Sequence, residues 1–234
     1  MITIRPANER GHVNLGWLDS RHSFSFGHYY DPQHMGVSAL RVINQDIVQP
    51  GGGFGTHPHQ DMEILSYVLK GTLEHQDSMG HIQRLTAGEF QLMSAGTGIS
   101  HSEYNGSNTE TAEFLQIWIQ PDQLGLTPDY QQKRFRGEGM IKVASPDGTE
   151  GSLTVHQDAT VYLARYAKTT TAQLELPAGR QGYLQLIKGS IDLEHHQLAA
   201  GDGLNVSASH DMQHLIVENA PDSEWLWFDL PATH

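Results

Sequence analysis

Apolar residues in this chain come in short runs that turn-forming residues soon interrupt, and this limits the fold to one built of strands. The runs are Val37 to Ile43, Met62 to Leu69, Phe90 to Met93, Phe114 to Ile119, Tyr183 to Ile187 and Trp225 to Phe228. They are rich in β-branched and aromatic residues and are bounded by Gly, Pro, Asn or Asp. No long stretch combines helical apolar spacing with caps. Glycine, 24 of the 234 residues, recurs between the runs, as tight turns between short strands require. The expected class is all-β, sandwich or barrel. The length suits two small domains or one large all-β domain.

The segment Pro121 to Gly151 departs from this pattern. It holds Pro121, Pro128 and Pro146, several glycines, and the polar run Tyr130-Gln131-Gln132-Lys133-Arg134. It reads as a connector carrying one short helix, and it places a domain boundary between residues 1–135 and 136–234. A weak repeat supports two halves. Leu69-Lys70-Gly71-Thr72-Leu73-Glu74 matches Ile187-Lys188-Gly189-Ser190-Ile191-Asp192, and Ala87-Gly88-Glu89-Phe90 matches Ala200-Gly201-Asp202-Gly203.

Fourteen Lys and Arg stand against 27 Asp and Glu, a formal charge of −13. That charge repels phosphate backbones and anionic lipid. No direct nucleic-acid partner and no membrane partner is expected, whereas a basic protein partner is compatible. No stretch approaches about 20 consecutive apolar residues, and the start, MITIRPANERGH, lacks an apolar core. A cytoplasmic monomer is expected. There is no Cys, so any metal must be held by His and carboxylate.

Histidine, at 15 copies, is the compositional outlier. In Gly51-Gly-Gly-Phe-Gly-Thr-His57-Pro-His59, an extended backbone turns both imidazoles to one face. Pro58 cannot donate to a ladder, so this piece belongs at a strand end, an edge or a bulge. His101 and Glu103 repeat the same spacing in Gly98-Ile-Ser-His101-Ser-Glu103-Tyr-Asn105. An isolated H-x-H pair reads most simply as solvated or packed histidines. The second pair, between Gly-rich turns, makes a divalent transition-metal site the better reading. Nitrogen with hard oxygen suits Fe, Ni, Mn, Co, Cu or Zn over Ca or Mg.

The stretch from Gly51 to Gly71 resembles the first cupin motif, with Gly51, His57, His59, Glu63 and Gly71 in its places. Seven residues rather than six separate Glu63 from Gly71. The stretch from Gly88 to Asn105 resembles the second motif through His101 and Asn105, with Ser94 where Pro is usual. These departures match the pirin branch. THPHQDMEILSYVLKGTLEHQDSMGH followed by AGEFQLMSAGTGISHSEYN is similar to pirins and pirin-like quercetin dioxygenases, densely so over about residues 1 to 135.

The resemblance implies a bicupin of two double-stranded β-helix barrels, metal-binding in the first and degenerate and metal-free in the second. It implies His57, His59, His101 and Glu103 as ligands of one divalent metal, iron foremost. Glu63 then becomes a supporting or structural residue. It further implies a flavonol and O2 as substrates, with Glu103 also the general base. Two other readings stand beside this one. The first is a metal-containing regulatory protein that binds other proteins without turnover. The second, weaker, is a cupin isomerase or sugar-binding protein.

The remaining histidines carry plainer expectations. His75 and His81 flank a turn and read as an exposed hairpin tip, although a role beside the metal ligands is open to His75. His12, His22, His28 and His34 read as solvated or packing residues. Adjacent His195 and His196 would face opposite sides of a strand, and His210 and His214 lie in a polar context. Met62, Met93, Phe90 and Trp118 read as core, with some able to line an apolar cavity.

Overall fold

The computed structural model describes residues 1–232. Each half is a seven-stranded sheet packed over a four-stranded one. In the first half, the large sheet runs Asp129–Arg134, Glu89–Ser94, Glu63–Lys70, Ala112–Ile119, Leu40–Val48, Leu18–His22 and Gly11–Asn14. The small sheet runs Gly53–His59, Ile99–Asn105, Thr72–Asp77 and Ile82–Thr86. In the second half, Gly203–Val206, Gln181–Lys188, Ser223–Leu230 and Thr160–Tyr166 form the centre of the large sheet. The small one is Thr170–Leu176, Gln213–Asn219, Ser190–Leu193 and His196–Ala199. This is the bicupin architecture. The long apolar runs fall in strands, except that Val37 to Ala39 form the turn before Leu40–Val48 and Met62 precedes Glu63–Lys70. Among the described residues no helix is long and apolar enough to cross a membrane.

The strand Glu63–Lys70 shows why its run is apolar on both faces. Ile64, Ser66 and Val68 point into the first barrel. Leu65 and Tyr67 point out, into a cluster shared with Val161, Leu163, Tyr183 and Phe228 of the other half. Burying each such side chain contributes about 1.5–3 kcal/mol, so this shared core holds the halves together. Polar groups reinforce it. The Tyr67 hydroxyl donates to Glu224 (2.6 Å), and Arg165 donates to both Tyr67 and Glu224 (2.7 and 3.0 Å). Glu63 lies on the same outer face and accepts from Ser94 (2.9 Å) and from the His156 backbone (3.3 Å). It is a bond between the halves.

The structure corrects two expectations about organisation. Pro121 to Gly151 is not a connector with a helix. It supplies the strands Asp129–Arg134 and Gly139–Ser145, and its only helical piece is a 3₁₀ turn at Thr149–Gly151. The polar run fits an edge strand, whose residues need no apolar cover. Nor do residues 1–135 stay together, because Ile2–Arg5 pairs antiparallel with Gly203–Val206 and completes the second half's sheet.

Candidate metal centre

The strand Gly53–His59 forms an edge of the small sheet, the position Pro58 demands. A bulge interrupts its pairing with Ile99–Asn105: His57 stands opposite His101, but Phe54 stands opposite Glu103. Bulges re-aim side chains. Gly53 permits the close approach, since a Cβ there would lie 2.4 Å from the Tyr104 ring.

Three imidazoles converge as a result. His101 Nε2 lies 3.0 Å from His59 Nε2 and 3.1 Å from His57 Nε2. His57 Nδ1 donates to the Gly55 carbonyl (2.7 Å), which leaves its Nε2 lone pair facing the shared point. Burial, with the neighbouring imidazoles adding, pushes His59 down to about 4 and His101 to about 3. Both rings are therefore neutral at pH 7, the form that binds a metal. Three imidazole nitrogens with a carboxylate at hand fit a divalent transition ion.

Glu103 joins this group through His101. The donor atoms of His57, His59 and His101 lie within 4.8 Å of one another, as do those of His75, His101 and Glu103. The fully buried carboxylate is clamped. Gln91 Nε2 donates to Oε1 (2.6 Å) and Gln116 Nε2 donates to Oε2 (2.7 Å). Ser66 accepts from Gln91 (3.1 Å) and donates to Gln116 (2.7 Å). Asn44, Gln116, Ser66 and Gln91 stand side by side on four adjacent strands, a polar row across the barrel floor. Beside it Asp46, wholly buried, accepts from Ser20 and is pushed up to about 7, mainly by burial.

His75 is not at an exposed tip. Along Thr72–Asp77 the inward residues are Leu73, His75 and Asp77, so the ring is buried and only the turn beyond Asp77 is exposed. His75 donates to Asp77 (3.0 Å), as does His81 (2.9 Å). Burial alone would raise Asp77, but the hydrogen bonds from His75 and His81 outweigh it and hold the carboxyl low. Tyr130 stacks on His75 and His81 at 4.6 and 5.0 Å. Burial and nearby carboxylates push its hydroxyl up, so it stays protonated and donates to Gln91 (3.0 Å).

Of the residues read as core, Phe90 stacks on Tyr67 (4.0 Å) and Met93 is fully buried. Trp118 instead sets its ring edge-on to His59 (5.1 Å), and its indole N–H is buried without a partner. His195 lies in a left-handed turn rather than in a strand with His196. His214 is half exposed beside Glu175. A groove of about 390 Å³ opens beside His59, lined by Pro58, Gln60, Ser78 and Ile99 among others. A larger one of about 740 Å³ lies over the second half and has no imidazole in its lining.

Sequence reading alone missed Gln91, Gln116, Ser66, Asp77 and Tyr130. The available signal was a polar residue inside an apolar run, as at Gln91 between Phe90 and Leu92.

Comparison with known proteins matches two family models, Pirin over residues 3–119 and the quercetinase C-terminal cupin domain over residues 142–230. A quercetin 2,3-dioxygenase of Escherichia coli K12 is 53% identical over 99% of both chains. The crystal structure of the bacterial pirin YhhW from Escherichia coli in complex with nickel(II) superimposes with TM-score 0.95 at 51% identity, covering 99% of this chain and 100% of that one. Escherichia coli YhaK is 30% identical with TM-score 0.76, covering 95% and 98%.

Proposed function

This chain belongs to the pirin family, and on that premise we propose that it is a metal-dependent dioxygenase that opens the heterocyclic ring of flavonols such as quercetin with O2, releasing carbon monoxide. The observation that carries this reading is the convergence of three imidazole Nε2 atoms beside a doubly clamped carboxylate. His57, His59, His101 and Glu103 would hold one divalent metal. Iron is our first assignment, followed by nickel, the ion in the Escherichia coli relative's structure, and by Mn, Co, Cu or Zn. Such an ion, when bound, supplies Lewis acidity to the substrate's oxygens.

The chain's own residues do the rest. The Gln91 and Gln116 amides fix the Glu103 carboxylate and leave it lone pairs to accept the flavonol hydroxyl proton. The Trp118 ring flanks the imidazoles edge-on to His59, and its buried indole N–H has no protein partner. Met62, Ile99, Trp118 and Tyr130 belong to one apolar cluster near the imidazoles, a surface that suits a flat aromatic ring. In this reading residues 1–135, apart from the first strand, form the metal-binding cupin, and 136–234 form a degenerate cupin without metal.

The test is to load the protein with Fe, Ni, Mn, Co and Cu in turn and follow quercetin absorbance with oxygen uptake. Turnover is expected, falling about 10²–10⁴-fold in Glu103→Ala and disappearing with the metal in His101→Ala. Full metal occupancy with no turnover for any ion would sink the dioxygenase and favour the regulatory protein.

A further inference from the structure

His101 turns Nε2 toward the point shared with His57 and His59, and its other nitrogen also has a neighbour. Nδ1 of His101 lies 3.5 Å from Nδ1 of His75. His75 Nε2 lies 3.0 Å from Asp77 Oδ2, and both side chains are closed to water. A carboxylate only accepts, so His75 carries a proton on Nε2, and the neutral ring then has its lone pair on Nδ1. A lone pair at that place matches a donor, so the proton of neutral His101 belongs on Nδ1. Nε2 of His101 then keeps its lone pair.

We propose that Asp77 and His75 are positioning residues that fix His101 as its Nδ1–H tautomer and so keep its Nε2 ready for a metal. The inference rests on the metal-centre reading and adds to it a carboxylate that sets metal affinity from two residues away in the hydrogen-bond chain. The arrangement extends the usual pairing, in which a carboxylate orients a metal-bound imidazole directly.

Only one oxygen of Asp77 faces His75. Oδ1 accepts from the backbone N–H groups of Met79 (2.9 Å) and His81 (3.1 Å), which shapes the turn, and also lies 3.2 Å from His81 Nδ1. Oδ2 accepts from the imidazoles of His75 and His81. Asp77→Asn can keep its oxygen on the two backbone donors while its amide nitrogen faces His75. His75 must then accept at Nε2 and carry its proton on Nδ1, pointing at the N–H of His101. Two donors cannot share that contact. Tyr130, stacked on His75, opposes a swing of the ring out of line. His101 is thereby driven to the Nε2–H form, which blocks its metal-facing nitrogen.

The experiment uses ¹⁵N-histidine-labelled, metal-free full-length protein at pH 8. Long-range ¹H–¹⁵N spectra report each ring's tautomer, with His101 identified by its loss in His101→Gln. Chelator competition with nickel(II) gives the affinity. The wild type should show His101 as Nδ1–H. Asp77→Asn should shift it toward Nε2–H and weaken nickel(II) binding about 10- to 100-fold. His75→Phe, which keeps an aromatic ring against Tyr130, should also weaken binding, and adding Asp77→Asn to it should change nothing more.

An unchanged His101 tautomer in Asp77→Asn would overturn the proposal, and so would an Asp77→Asn effect that persists at full size without His75. If Asp77→Asn does not fold, His75→Phe decides alone: unaltered His101 tautomer and affinity overturn the proposal. A wild type that shows the tautomer chain yet binds no nickel(II) or iron(II) would overturn the metal-centre reading instead.

Discussion

When the two small sheets are aligned by their ladder registers, His57, His59, His75, His101 and Glu103 of the first barrel correspond to Leu174, Leu176, Leu193, Leu215 and Val217 of the second. The large sheets show the same exchange. Ser66, Gln91 and Gln116, which surround the Glu103 carboxylate, correspond to Leu184, Leu204 and Trp227. Gly182 leaves room for the indole, since a Cβ there would lie 2.1 Å from the Trp227 ring. One strand plan thus supports a dry, space-filling interior and a polar one. The polar interior is held by paired amides and a carboxylate, because a buried polar group left unpaired costs about 1–3 kcal/mol. It also leaves the Asn44 oxygen, His22 Nδ1 and the Trp118 N–H without partners. The second barrel contributes packing, and the first supplies donor atoms.

The largest effect that tests this contrast is on stability. Leu184→Ser places the first barrel's residue in the second barrel's core, where it should cost about 2–5 kcal/mol by urea unfolding. Ser66→Ala at the equivalent place opens no comparable cavity and leaves the Gln116 carbonyl unpaired, so it should cost less, about 1–3 kcal/mol. Equal costs would mean that the two linings do not differ as described.

A smaller effect concerns acid. In metal-free protein His59 and His101 titrate near 4 and 3, whereas unfolded they take protons near 6.5. Between about 6.5 and 4 the unfolded chain binds more protons at these two sites. The stability they contribute is therefore present above 6.5 and is lost as pH falls. Asp46, pushed up to about 7, works in the opposite direction in this window. Comparison with His59→Gln plus His101→Gln isolates the pair: the double variant should lose less stability on acidification. Parallel profiles would contradict the assignment. Leu176 and Leu215 have no proton to exchange.

The smallest expected effect is none. His195→Ala plus His196→Ala should leave the metal-to-protein ratio unchanged by elemental analysis, and a fall would place metal in the second barrel.

The strand runs were legible because burial on a pleated surface selects β-branched and aromatic residues over four to eight positions. His57 and His59 were legible because spacing by two keeps side chains on one face of any extended strand. Glu103 shares that spacing with His101, and the family pattern was needed only to prefer it over Glu63 as the carboxylate. The clamp was hidden for a geometric reason. Ser66, Gln91 and Gln116 become neighbours only through strand pairing, and register between distant strands is not written locally. Tyr130 was lost because its polar edge strand resembles a loop. His75 was misplaced because it lies close to the polar turn after Asp77, although alternation along Thr72–Asp77 buries it with Leu73 and Asp77.

The strand Ile2–Arg5 finds its ladder partner about two hundred residues further along the chain. Closing the second barrel's edge at Gly203–Val206 therefore joins segments far apart in sequence, a slow long-range step. Shortening the amino terminus would leave the distant imidazoles in place. It would also expose a row of unpaired amides on the opposite barrel, a template for joining one molecule to the next.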